Sequence, residues 1–430
     1  MSKQTNPEHD GRYGWYVLIV LSLVNMMNYM DRMLLSVLLP EIRRDIALND
    51  TQLGLLTGFA FAIFYASFGL PLARLADVWV RRNIISIALI FWSLMTAAAG
   101  AAQTFSHLLL ARIGLAIGEA GCIPPSHSLI SDYVPAERRP SAFAIYTAGS
   151  TAGIIAGLAL GGVLSSLIGW RLTFIVLGMP GVLLGLLILF TVREPPHGRL
   201  DDDNAPKDAP PLRRSLAFFR SQKSFRCLVG YFAVVTLSAS GFSQWMPSFY
   251  SRSFEMSQGQ IGVFFGFVFG AGSAVGTIAG GFIGERLMKA NRLHGASLCM
   301  ATVLLAFPLW VGIFVSQTAW LSLVFNFAAA TIVMAPNGVA FAMVQAVTPS
   351  RLRALAIAIV MFAASLIGMG AGPVLIGTIS DFLAEAHGVE SLRYALLSST
   401  LLTLLALPFL IALRGALLKD MKAAKQATFD

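Results

Sequence analysis

One feature recurs along this chain from end to end: an apolar run of roughly 20 residues or more, long enough to cross about 30 Å of hydrocarbon as a helix. The runs lie near 14–39, 52–76, 83–104, 107–130, 141–168 and 172–192, and then near 225–250, 259–284, 295–316, 319–347, 354–380 and 391–414. They predict an all-α integral membrane protein with twelve transmembrane helices arranged as two six-helix bundles. Composition agrees, because only 12% of the 430 residues are charged and mean hydropathy is +0.71, whereas a soluble domain carries about 25% charged residues.

Between the two sets stands "REPPHGRLDDDNAPKDAPPLRRSLAFFRSQKSFR", polar, charged and Pro-rich as a solvated linker should be. The expected organisation is a bundle over 1–192, a cytoplasmic linker over 193–224, and a second bundle over 225–430 with a short cytoplasmic tail. No other hydrophilic stretch could hold a separate soluble domain.

Lys and Arg are retained on the cytoplasmic side of a bacterial or cellular membrane. With the N-terminus inside, 24 of the 31 fall in cytoplasmic segments. Arg43, Arg44, Arg171, Arg252 and Arg393 fall outside, and Arg32 and Arg112 lie within the membrane. Both termini are therefore expected in the cytoplasm, in a multi-pass protein of the cell (inner) membrane. The net charge of +9 reflects this bias and not a nucleic-acid surface, which needs a clustered basic face. Residues 1–13 are polar and the first run lacks a small-residue cleavage site, so that run is expected to act as an uncleaved signal. Cys122, Cys227 and Cys299 sit in apolar runs without metal or pairing spacing, which reads as packing. No metal or cofactor is expected, and one chain of this length suffices as a monomer. There is no HExxH, nucleophile elbow or appended signalling domain to favour a membrane-embedded enzyme or receptor.

The two sets echo each other. "ARLADVWVRRN" (73–83) aligns with "GFIGERLMKAN" (281–291), and "PAERRPSA" (135–142) with "PSRLRALA" (349–356). Such repeats mark membrane folds whose halves rock about a site near the midplane. "GSTAGIIAGLALGG" (149–162) and "GMGAGP" (368–373) space small residues three or four apart. That pattern suits close helix packing, or sliding contacts between halves.

With these motifs the chain resembles the major facilitator superfamily over nearly all of its length. The resemblance rests on "GLPLARLADVWVRR" and its repeat ending in "GER", on "RIGLAIGEAG" in helix four, on the Gly-rich helices five and eleven, and on "GWRLTF" at 169–174. It departs from the strict loop motif at Ala73, Val78 and Val80, where the family has Gly, Arg and Gly.

Four charges fall inside apolar runs: Asp31 and Arg32 in helix one, Arg112 and Glu119 in helix four. Each would cost about 2.5–3.5 kcal/mol unpaired at mid-membrane, so they must pair or face water. At 1.5 Å per residue, Asp31 and Arg32 lie roughly 25 Å along helix one, and Glu119 about 10 Å deeper than Arg112. Arg112 and Glu119, nearly two turns apart, share a face. The four sum to zero charge, with Asn25 and Asn28 expected beside them to satisfy them. Two readings apply, ion pairs clamping helices or a proton and anion site. Buried pairs rarely outdo apolar packing, which favours the second. In it, Glu119 among "LAIGEAGCI" is drawn toward the neutral acid by desolvation, and its proton frees an arginine for an anionic substrate.

"NYMDR" in helix one with R-x6-E in helix four is similar to the Spinster branch of that superfamily, proton-linked carriers whose animal members handle sphingosine phosphate and lysophospholipids. Sialin-like and sugar-acid symporters share the pattern. The resemblance implies proton-coupling roles for Glu119 and Asp31 and substrate-binding roles for Arg32 and Arg112. Asn28 is expected among the substrate contacts, with Gln244, Trp245 and Asn337 from the second set. Many Phe and Met residues there suit an apolar or amphipathic anion. Asp77, Arg81, Asp132 and Arg138 at the cytoplasmic ends are expected to form a gate of salt bridges. The function expected is a proton-coupled carrier of an amphipathic or lipid-like organic anion. The alternatives are a sugar-acid symporter and a drug or metabolite antiporter.

Overall fold

The computed structural model describes residues 7–135, 138–196, 212–349 and 352–426. Its regular elements are helical. In chain order the first are α1 (Pro7–Ile46), α2 (Asp50–Gly54), α3 (Ala60–Val78), α4 (Arg81–Ala99), α5 (Phe105–Ala120), α6 (Ile123–Tyr133) and α7 (Arg139–Thr191). There follow α8 (Leu212–Ser221), α9 (Lys223–Ser253), α10 (Gln258–Gln260), α11 (Gly266–Ala290), α12 (His294–Val315), α13 (Ala319–Met334) and α14 (Asn337–Ala346). The last are α15 (Arg353–Ala363), α16 (Ala371–His387), α17 (Ser391–Leu404) and α18 (Ala406–Gln426). Among the described residues, ten helical runs are long and apolar enough to cross a membrane. Two of the ten exceed a single crossing: 51 residues over Ser141–Thr191 and 70 over Leu355–Ala424. The first is interrupted at Gly169, whose φ of 77° and ψ of 162° are not helical. A side chain there would meet the steric penalty of positive φ, so glycine sets the break. The second is interrupted by the 3₁₀ turn Gly388–Glu390.

By contacts the chain divides into two compact units. One comprises 1–48, 60–205 and 257–266, the other 49–59, 206–256 and 267–430. In the first, α1 lies along the N-terminal part of α7. A Cβ at Gly149, Gly153 or Gly157 would collide with the carbonyl oxygen of Ser22, Met26 or Met30 respectively. These glycines thus let two backbones touch within one unit, which is the packing reading of the small-residue pattern. Asn25 Nδ2 donates to Tyr146 O at 2.8 Å across the same seam. This corrects the expectation that the Asn25 amide serves the buried charges.

The second unit repeats the device. A Cβ at Gly372 would collide with Leu237 O, and one at Gly368 would press into Thr236, so the 364–373 stretch lies against α9. The repeat extends to helix starts. Asn49 and Ser257 both form capping boxes, with Gln52 and Gln260, and each is followed by a five-residue π turn, Leu55–Phe59 and Ile261–Phe265. The fourth apolar run (107–130) and the tenth (319–347), helices four and ten in the sequence count, also break alike. The first breaks at Gly121–Cys122, ahead of Pro124 and Pro125, and the second at Ala335–Pro336, where the missing proline N–H releases the ladder. Cys122, Cys227 and Cys299 are buried and free.

Candidate functional site

The first unit gathers the four charged residues at its core. Asp31 and Arg32 are consecutive, so on a helix they point about 100° apart and face different neighbours. Arg32 Nε donates to Glu119 Oε2 at 2.8 Å, with Arg32 7% and Glu119 0% exposed. Asp31 turns instead to α4, where the indole Nε1 of fully buried Trp92 donates to its Oδ2 at 3.0 Å. Glu119 occupies the last turn of α5, immediately before the helix breaks.

Aromatic rings complete the surroundings. The Arg32 guanidinium lies over Phe61, Tyr65 and Tyr29, at 4.7, 4.9 and 5.2 Å from their centroids. Arg112 lies over the same Phe61 ring at 4.7 Å. Phe61 and Tyr65 are four residues apart on α3, hence on one face. Their rings stack at 5.3 Å and 20°.

Several buried polar atoms here have no protein hydrogen-bond partner: Glu119 Oε1, Asp31 Oδ1, Arg32 Nη2, and both amide atoms of Asn28. Buried polar groups are normally paired, so this cluster holds unused capacity for protons, water or a polar ligand. Pattern reading found the four charges and Asn28. It missed Phe61, Tyr65 and Trp92. The i, i+4 pair in "FAIFY" and the lone indole in "IFWSL", which needs a partner once buried, were the available signals.

The other expected substrate contacts belong to the second unit. Gln244 is buried. Trp245 is fully buried, and its indole N–H donates to Pro373 O at 2.9 Å, tying α9 to α16. Asn337 opens α14 at the helix-ten break, its Nδ2 3.4 Å from Met334 Sδ. The same unit holds a network that pattern reading did not find. Arg252 forks onto Asp50, with Nη1 2.7 Å from Oδ2 and Nη2 2.6 Å from Oδ1. Ser380 Oγ donates to Asp50 Oδ2 at 2.7 Å, and Asp381 accepts from the backbone N–H groups of Asp50 and Thr51 at 2.9 and 2.7 Å.

Among the four expected gate residues, Arg81 and Asp132 come together within the first unit. Arg81 is fully buried and pairs with Asp132. Its Nε reaches Glu194 Oε1 at 2.7 Å, Nη1 reaches Ser128 Oγ at 2.7 Å, and Nη2 reaches Pro195 O at 2.9 Å. Glu194, just past the apolar run in "REPP", was not singled out from sequence. Arg138 is exposed, and the side chain of Asp77 lies outside the described residues. At the other end of α1, Asp45 joins Arg171 and accepts from Trp170 Nε1 at 3.0 Å, beside a cavity of about 530 Å³.

Helical runs of membrane-crossing length, with a buried charge cluster inside the first unit, define a polytopic membrane protein. The model described as Major Facilitator Superfamily matches residues 21–373, and the chain belongs to that superfamily. It is 32% identical over 393 residues to an MFS-type efflux pump of Mycolicibacterium smegmatis, covering 90% of each chain. A probable L-galactonate transporter of Escherichia coli is 26% identical over 282 residues, 63% of this chain and 62% of that one. The crystal structure of a bacterial homologue of the human lysosomal transporter Spinster, inward-facing and unoccupied, matches with a TM-score of 0.87 at 30% identity. That match covers 98% of this chain and 99% of the other. The chain is a multi-pass membrane transporter related to sugar-acid transporters and to Spinster proteins, and it is not an enzyme.

Proposed function

We propose that this transporter is a proton-coupled secondary carrier that moves an amphipathic or lipid-like organic anion by alternating access. The observation that carries the reading is the buried Arg32–Glu119 pair at 2.8 Å, set among polar atoms that lack partners. A proton on Glu119 cancels its charge and weakens its hold on Arg32. A desolvated guanidinium left without a counter-ion then favours an anion strongly. Release of the anion restores the pair and expels the proton. Asp31, with one oxygen held by Trp92 and the other unpartnered, is the second proton site, and Arg112 orients the anionic group.

The reading takes the two long runs as two crossings each, which gives twelve helices. It places both termini in the cytoplasm and a monomer in the inner membrane, on the distribution of Lys and Arg. Gln244, Trp245 and Asn337 are assigned to the substrate path, Trp245 by a ring face only because its donor is occupied. The relative named as an L-galactonate transporter favours a second reading, in which the anion is a sugar acid.

The test uses purified protein in liposomes loaded with a pH-sensitive dye. Galactonate, glucuronate, lysophosphatidylglycerol and lysophosphatidic acid are each added to wild type and to Glu119→Gln. Proton flux with the lysolipids in wild type alone supports the first reading, and flux with the sugar acids alone supports the second. Transport of labelled substrate without proton flux overturns coupling.

A further inference from the structure

The Phe61 ring is shared by two buried guanidinium groups, those of Arg32 and Arg112. Each lies over its ring at 4.7 Å, and the ring itself is 2% exposed. Tyr65 stacks on Phe61 and, with Tyr29, also borders Arg32. Three rings therefore surround a cation whose carboxylate partner is Glu119.

The arrangement matters most when that carboxylate is neutral. Arg32 would then hold a full charge in a buried site beside a second cation, and a long flexible side chain relieves such a burden by withdrawing toward water. The faces of aromatic rings carry negative quadrupole density, and each such contact is worth about 0.5–1 kcal/mol when exposed and about 2 or more when desolvated. A ring touching both guanidinium groups also spaces the two like charges.

We propose that Phe61 is a positioning residue for coupling. It holds Arg32 and Arg112 at the site after Glu119 takes its proton, so that the freed cation meets the incoming anion in place. This rests on the proton-coupled reading above.

The experiment measures KM, maximal rate and protons moved per anion in proteoliposomes, with the four anions named above, for wild type, Phe61→Tyr and Phe61→Leu. Mono-, di- and trifluorophenylalanine at position 61, introduced at an amber codon, keep the shape nearly constant while draining the ring face. The expected result is that Phe61→Tyr matches wild type. KM should rise stepwise with fluorine count, to about tenfold for the trifluoro ring, while maximal rate changes by less than about threefold, and Phe61→Leu should lose protons per anion. A KM and proton ratio indifferent to fluorination overturn the assignment, whether or not Phe61→Leu folds. If wild type transports without moving protons, the coupling reading fails and this assignment fails with it. If wild type couples and the fluorinated rings behave alike, this assignment fails alone.

Discussion

Arg32 and Glu119 stand 87 positions apart in sequence and 2.8 Å apart in space, and neither is open to solvent. Glutamine at 119 keeps the shape and a hydrogen-bond acceptor but can never carry the charge, so Glu119→Gln imitates the protonated acid permanently. Anion binding is expected to stay within about threefold of wild type, while the dependence of uptake on pH disappears. Binding and uptake measured across a pH series check this, and an unchanged pH profile removes Glu119 from the coupling mechanism.

Arg112 contributes charge and a planar face over Phe61. Arg112→Ala is expected to lose anionic ligands first, by roughly 10- to 100-fold, because a charge-assisted contact is worth about 1.5–3 kcal/mol. Arg112→Lys keeps the charge without the fork and should fall between. Competition with matched anionic and neutral analogues reads the difference. Equal loss of both would mean that the variant has misfolded.

Trp92→Phe removes the indole donor to Asp31 Oδ2 while filling most of the same volume. A buried acceptor stripped of its partner costs about 1–3 kcal/mol, seen as a lower unfolding temperature in detergent. Asp31→Asn in the same chain should give less than the sum of the two single effects, because the pair shares one hydrogen bond. Additive effects would show that Trp92 acts by packing alone.

Arg81→Ala leaves Asp132 and Glu194 facing each other without their common cation. Removing one partner of a buried network costs about 3–5 kcal/mol, so yield and unfolding temperature should drop sharply. Arg81→Lys should recover part of the loss. If Arg81→Ala instead alters transport with stability intact, the network belongs to the gate and not to the scaffold of the first unit.

Much of this architecture was legible from the chain alone. Apolar runs announced the helices because lipid allows few other solutions, and four charges inside those runs stood out by their cost. Asn337 beside Pro336 marked the helix-ten break because proline cannot donate to the ladder. What stayed hidden were long-range partners. Nothing in "FAIFY" tells which ring will lie over a guanidinium, and Asp50 and Arg252, 202 positions apart, sit at helix ends where solvated charge is the ordinary expectation. Asn25 shows the limit from the other side. Its position on α1 resembled that of Asn28, yet helix phase turned it to the Tyr146 carbonyl on α7. The matching capping boxes at Asn49 and Ser257 went unseen because Asn and Ser, and the residues between cap and Gln, differ while the hydrogen bonds agree.

The four core charges sum to zero, and that balance has an electrical consequence. Moving one elementary charge through a membrane potential is worth about 2.3 kcal/mol per 100 mV. A carrier whose empty site is neutral, and whose loaded site holds one monovalent anion and one proton on Glu119 with Asp31 still charged, presents no net charge to the field in either crossing. Its turnover would then follow the chemical gradients of proton and anion and ignore voltage, whereas a divalent anion with one proton would leave the loaded form negative and make transport voltage-sensitive.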